Sequence, residues 1–302
     1  MTQLICCPEF SRRAVISSRK TESILLIIKG ELRAMFPLQT KSLPENAGSL
    51  RDALEESFSQ FVQSPGHRMV TVEDKNYPDL DAIRIFLDGA TAAERLPARP
   101  VSVDPVEPAL RAALFEITAH PIRVQGAGVH LECRAREVRI GQARSADGNL
   151  LLLLEDASDG TVDVAISLSD LEALVRAGAS AATKGQGIIL EDVRVQLKAL
   201  SERALAATVC VRARKLFLNA AVEIKGRVEI DEQMTAHLSG LDCSGEGTLG
   251  TLACGFLGPH LQRFEGRKFS LLALPLGEVR LRDIRLCIDN QLRVHAEFGH
   301  AA

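Results

Sequence analysis

Leu205-Ala-Ala-Thr-Val-Cys-Val-Arg-Ala-Arg-Lys-Leu-Phe-Leu-Asn-Ala-Ala-Val-Glu-Ile-Lys-Gly-Arg-Val-Glu-Ile230 and Thr248-Leu-Gly-Thr-Leu-Ala-Cys-Gly-Phe-Leu-Gly-Pro-His-Leu-Gln-Arg-Phe264 are the stretches on which the fold turns. In the first, Leu205, Ala207, Val209, Val211 and Ala213 alternate with Ala206, Thr208, Cys210, Arg212 and Arg214. The phase resumes through Leu216, Leu218, Ala220, Val222 and Ile224 to Val228 and Ile230. Alternation sustained this far predicts strands with one buried face. At ~3.3 Å per residue, a strand of about twelve residues reaches ~40 Å, roughly twice the usual length. In the second stretch Leu249, Leu252, Phe256, Leu257 and Phe264 recur at helical spacing. A long sheet needs a long cover for its apolar face. The expectation is a helix laid along the sheet, with the functional site in the gap between them.

Outward from there, the chain reads mostly as strands. Ser49 is placed to cap an amphipathic helix carrying Leu50, Leu54, Phe58, Phe61 and Val62. Strands are predicted at 69–73 and 82–87 around a Tyr77-Pro78 turn, then at 113–124, 129–140, 149–155 and 162–168. Thr91 to Pro108 holds four prolines and reads as a surface connection. Ser169 and Glu172 form a capping box for a second helix, ended by Gly185 to Gly187. Strand pairs at 188–200 and 205–215 precede the long strand to Ile230 and another at 234–241. Three more, at 268–274, 278–288 and 292–298, follow the last helix. The predicted class is α+β: a long, strongly curved, mostly antiparallel sheet wrapped round a long helix near the C-terminus, with two further short helices. Residues 1–42 show no periodicity and read as a poorly ordered extension to a single domain at 43–302.

Composition narrows the function classes. The formal net charge is -3 and the 36 Lys and Arg are dispersed, which leaves no footprint for nucleic acid. With no Trp and a single Tyr, the apolar surface must be mostly Leu, Val, Ile and Ala. The seven cysteines show no C-x-x-C spacing, and Cys133, Cys210, Cys254 and Cys287 read as buried free thiols. Ser23-Ile-Leu-Leu-Ile-Ile28 is far shorter than the ~20 residues of a membrane span and lacks a cleavage pattern. The reading is a soluble protein in the cytoplasm or peripheral to a membrane. A true start near Met35 would place it in the cell envelope instead.

Chemistry-bearing motifs are few. Gly245-Glu-Gly-Thr-Leu-Gly250 has the G-x-G-x-x-G form of a dinucleotide loop. It lies amid antiparallel hairpins, however, and Glu246 would face a pyrophosphate. The plainer reading is a turn that folds the helix back onto the sheet. The histidines at 67, 120, 130, 237, 260, 295 and 300 show no metal-ligand spacing, so no metal is expected. No G-x-S-x-G elbow is present, and Asp156, Asp159 and Asp163 do not match a calcium loop. Arg280, Arg282 and Arg285 alternate with Val279, Leu281, Ile284 and Leu286. They read as a solvated strand face, with a second reading as cations for anionic lipid headgroups.

Four segments carry a family resemblance. They are Pro121-Ile-Arg-Val with Val129-His-Leu-Glu-Cys-Arg-Ala-Arg-Glu-Val138, and Ile166-Ser-Leu-Ser-Asp-Leu-Glu-Ala-Leu-Val175. The others are Gly226-Arg-Val-Glu-Ile-Asp231 and Leu274-Pro-Leu-Gly-Glu-Val-Arg-Leu-Arg-Asp-Ile-Arg-Leu286. Over about 113–299 their order resembles the tubular lipid-binding (TULIP) superfamily, in its bacterial LmeA-like phospholipid-binding branch. The resemblance implies a curved sheet enclosing a groove for lipid.

The resulting expectation is a non-enzymatic binder, or carrier, of phospholipid or another hydrophobic small molecule, without cofactor and with transient membrane-surface contact. Acyl chains would lie between Leu252, Phe256, Leu257 and Phe264 on the helix and Val209, Val211, Leu218 and Val222 on the strands. Gly255, Gly258 and Pro259 would either leave room for a ligand or split the helix in two. The alternatives are an interaction module whose groove is filled by its own side chains and, third, a nucleotide-dependent enzyme built on the glycine loop.

Overall fold

The computed structural model describes residues 35–64, 66–93, 105–185, 187–215, 218–271 and 279–300. The elements run β1 (Met35–Pro37), α1 (Ala47–Ser59), β2 (Val62–Gln63), β3 (Val70–Asn76), β4 (Asp79–Phe86) and β5 (Thr91–Ala92). Next come β6 (Glu107–Val124), β7 (Ala127–Arg144), β8 (Leu150–Asp156), β9 (Asp159–Ser167) and α2 (Leu168–Ala182). Then follow β10 (Ile189–Ser201), β11 (Ala204–Lys215), β12 (Leu218–Ile230), β13 (Thr235–Glu246) and α3 (Gly247–Gln262). The described chain ends with β14 (Lys268–Ser270), β15 (Arg280–Ile288) and β16 (Gln291–Gly299).

These strands form two sheets, not one. The first has eleven strands in the order β15-β16-β9-β7-β6-β4-β3, with β8 and β1 branching from β7 and β5 and β2 branching from β6. The branch arises because β7 pairs β9 through Val129–Arg136 and β8 through Arg139–Arg144. Most pairings are antiparallel, but β4 runs parallel to β6, Leu80 opposite Ala112 and Ile85 opposite Ile117. The second sheet is an antiparallel meander, β10-β11-β12-β13-β14.

The expected sheet wrapped round one long helix is therefore corrected. Strands make up 60% of the described residues and helices 18%, in three short helices. The main core is built not on α3 but on α1, whose Leu50, Leu54 and Phe58 pack with Met69, Ile83 and Ile85 of the first sheet and its approaches. The first 112 residues, which the resemblance left out, thus supply many of the best-buried residues, Leu38, Leu50, Met69, Ile83 and Ile85 among them. Asn46, not Ser49, caps α1: its Oδ1 accepts the Ser49 N–H at 2.9 Å, and the Ser49 hydroxyl accepts the Asn46 N–H in return. Glu55 fixes the helix to the sheet by accepting N–H bonds from Met69 and Val70. Leu150 to Leu153 of β8 are buried on both faces of their strand. Met35–Pro37, read as part of the extension, pair with Leu151–Leu153, and Leu38 is fully buried. Residues 1–34 lie outside the described residues, as does 272–278 within the fourth resemblance segment.

The two sheets are joined by α2 and by the β10–β11 turn. Ser167, two residues before the predicted cap, accepts the Asp170 N–H at 3.0 Å. Glu172, expected in that capping box, instead accepts the Val195 N–H of β10 at 2.9 Å, closing part of a free sheet edge. At the turn, Glu202 accepts from the Leu286 N–H at 2.6 Å and Arg203 pairs with Asp283 at 2.5 Å.

Candidate functional site

The second sheet has one aliphatic and one charged face, and its register shows how they arise. Val193, Val211, Val222 and Gly245 align across β10 to β13, as do Val195, Val209, Ile224 and Cys243. Ala199, Leu205, Val228 and Leu238 form a further row on that side. The other side carries rows such as Gln196, Thr208, Lys225 and Asp242. Period-two alternation in four paired strands separates the faces cleanly.

The aliphatic face is covered only at its flanks. On one side α2 packs along β10, and Val193 and Val195 are only 1% and 6% exposed. On the other, α3 folds back along β12 and β13. Three observations fix how α3 sits. Cys254 is disulfide-bonded to Cys243 of the sheet. A Cβ on Gly245 would lie 2.2 Å from the Gly250 backbone, and one on Gly250 would lie 2.6 Å from the Ala221 carbonyl oxygen. Gly247 turns the chain at φ +73. The G-x-G-x-x-G spacing thus serves a tight strand-to-helix reversal and close backbone contact. Between the helices, Leu205, Ala207, Val209, Val211 and Ala213 of β11 are only partly buried, with Val222 and Ile224 beside them. At ~4.8 Å per strand, β10 lies ~12 Å from the midline of β12 and β13, about one helix diameter, so the two helices flank the aliphatic strip of β11.

The predicted residues divide. Val209, Val211 and Val222 come together on this strip. Leu218 begins β12 opposite Lys215, and its side chain lies outside the described residues. Leu252 and Phe256 do not face the strands: they are 55% and 77% exposed, whereas Leu257, 37% exposed, lies on the same side of the helix as Gly250. At 100° per residue, anchoring Gly250 and Cys254 to the sheet turns Leu252 and Phe256 outward. Phe264 follows the helix in a turn, half-buried, with the Arg267 guanidinium 5.0 Å from its ring. The helix is continuous, with Pro259 in its last turn, so it is not split at the glycines.

Arg280, Arg282 and Arg285 sit on β15 of the other sheet, away from the strip. Arg282 donates to the carbonyls of His300 and Ser158, and Arg285 pairs with Asp283 at 2.7 Å. These bonds engage two of the three proposed headgroup cations within the protein.

Of the cysteines, Cys254 and Cys243 form a disulfide, correcting the reading of Cys254 as a free thiol. Cys133, Cys210 and Cys287 are free, and burial pushes the Cys133 thiol up to about 11.

Polar depressions exist elsewhere. One of ≈ 380 Å³ on the outer face of the first sheet is lined by His120, His130, Glu132, Asp163 and Arg293 among others. Among the described residues no group of three or more His, Cys, Asp or Glu is placed to hold a metal. Nor is any helix there long and apolar enough to cross a membrane. His295 Nδ1 lies 2.7 Å from Asp163 Oδ1 and its Nε2 3.5 Å from Glu297, which raises its pKa, chiefly through the Asp163 hydrogen bond. A raised folded-state value stabilises fully below the unfolded value of about 6.5, and that stability is lost as pH rises through the folded value. The stability advantage of the wild type over Asp163→Asn should therefore narrow as pH rises past neutrality, in paired denaturation curves. A gap independent of pH would remove the linkage.

No family model, curated protein or solved structure matches the chain.

Proposed function

We propose that this protein binds acyl chains, as in a phospholipid or a similar hydrophobic small molecule, without chemistry, on the aliphatic strip over β11. The observation that carries the reading is the incompletely buried aliphatic run Leu205, Ala207, Val209, Val211 with Val222 and Ile224, flanked by α2 on β10 and α3 on β12 and β13. Water gains nothing from such a surface, whereas each methylene laid on it is worth up to ~0.8 kcal/mol. About a dozen methylenes supply ~10 kcal/mol before the costs of association, so no polar anchor is required. The site differs from the one expected: the ligand lies beside α3, over β11, and the large side chains of α3 are not its ceiling.

Two variants and native mass spectrometry test this. Ala207 lies opposite Leu197 and Gly226 in the middle of the strip, so Ala207→Phe fills it without adding charge. Val209→Asp instead makes it polar. The expected result is lipid adducts on the gently purified wild type, falling about tenfold in both variants, as a loss of ~1.4 kcal/mol or more requires. Because neither position is fully buried, the thermal midpoint should move by only a few degrees, as about 1 kcal/mol implies. Wild-type protein free of any hydrophobic ligand, or variants that retain it undiminished, would favour a module with no guest.

A further inference from the structure

We propose that the outward face of α3 is a membrane-docking element that seats Leu252 and Phe256 in the interface of an anionic lipid bilayer. The helix is inverted relative to an ordinary surface helix. Its sheet-facing side uses Gly250 and Cys254, while Leu252 and Phe256, one turn apart, stand 55% and 77% exposed. A soluble helix turns its large side chains inward. One that turns them outward presents an apolar surface that needs a partner.

The charge pattern commits the partner to a bilayer. From Gly247 to Gln262 the helix holds no Asp, Glu, Lys or Arg. Immediately after it come Arg263, Arg267 and Lys268, all exposed. The acidic residue among them, Glu265, is taken up in accepting the Gly240 and Leu241 N–H groups at 3.0 and 2.7 Å. An uncharged apolar face with cations at one end matches acyl chains below and anionic headgroups above. The proposal rests on the acyl-chain reading above, as the route by which lipid reaches the strip beside the same helix.

The sequence contains no Trp, so Phe256→Trp places a single reporter on this face. The probes are vesicles of phosphatidylcholine with and without phosphatidylglycerol, and brominated versions of each. With phosphatidylglycerol present, the emission should shift to the blue and be quenched by the brominated chains. Neutralising Arg263, Arg267 and Lys268 should weaken binding by about fivefold per cation, and salt should do the same. Leu252→Ser with Phe256→Ser should lower the vesicle-bound fraction by at least about tenfold. An unshifted reporter overturns the proposal. So does a shift that needs protein concentration rather than vesicles, which would mark a second copy of the chain as the partner, and so does binding indifferent to lipid charge. The two readings fail separately. Ala207→Phe should lose bound lipid but still dock, whereas the Leu252→Ser, Phe256→Ser pair should keep lipid already bound but not dock.

Discussion

Gly245→Val should lift α3 off its sheet and cost about 3 kcal/mol, the upper end for overpacking. The reason is what stands in the way. An added Cβ would lie 2.2 Å from both the Gly250 carbonyl carbon and its oxygen, and 2.8 Å from the Thr251 nitrogen. These are backbone atoms of a helix, so no flexible side chain can swing aside. The whole N-terminal half of α3 must move, and with it the close seat of Gly250 on the Ala221 carbonyl. The matched control is Gly255→Ala, where nothing lies within 4 Å of the added carbon. There the gain in helix propensity should stabilise by up to about 1 kcal/mol. Chemical denaturation of the two variants, with proteolysis of α3 as a local readout, gives opposite signs if the contact is as described. Equal behaviour would mean that Gly245 is not a packing position.

This glycine pair also marks where sequence reading reached and where it stopped. The alternation through Leu205–Lys215 and Ala220–Ile230 identified β11 and β12 and their aliphatic face, because period two survives wherever one side of a strand is apolar. It could not say how wide the sheet is or what covers it. The helix was visible in Leu249, Leu252, Phe256 and Leu257, but its inward face was misread. Spacing arguments weight large side chains, whereas α3 docks through Gly250 and Cys254, where the absence or small size of a side chain permits contact. The signal lay in the glycine loop, which matched a nucleotide motif and in fact records a backbone approach. The α1 core and the parallel pairing of β4 with β6 escaped for another reason. They join residues far apart in the chain, and nothing local encodes such a partner. The second cap illustrates the smaller errors: Ser167 and Ser169 both precede the run of Leu171, Leu174 and Val175, and only Ser167 accepts the Asp170 N–H.

Breaking the Cys243–Cys254 disulfide should destabilise α3 by about 3 kcal/mol, while the core built on α1 keeps its stability. The bonded residues are 11 apart. Chain-entropy arithmetic for closing a loop of that size gives roughly 3 kcal/mol, drawn from the unfolded state. The effect should be concentrated locally because little else holds this helix: among its described side chains and glycines only Gly250 is buried, and Leu252 and Phe256 contribute nothing inward. Cys254→Ser, or treatment with a dithiol reductant, should therefore raise amide exchange across 247–262 by about a hundredfold. Protection of β4, β6 and β8 should stay unchanged, since Ile83, Ile85 and Leu152 belong to a separate core. Reduction acts through this bond alone if Cys254→Ser and the reductant have the same effect and do not add. Identical exchange in α3 with and without the bond would mean that the glycine contacts suffice. In that case the Gly245 substitution would carry the larger loss by itself.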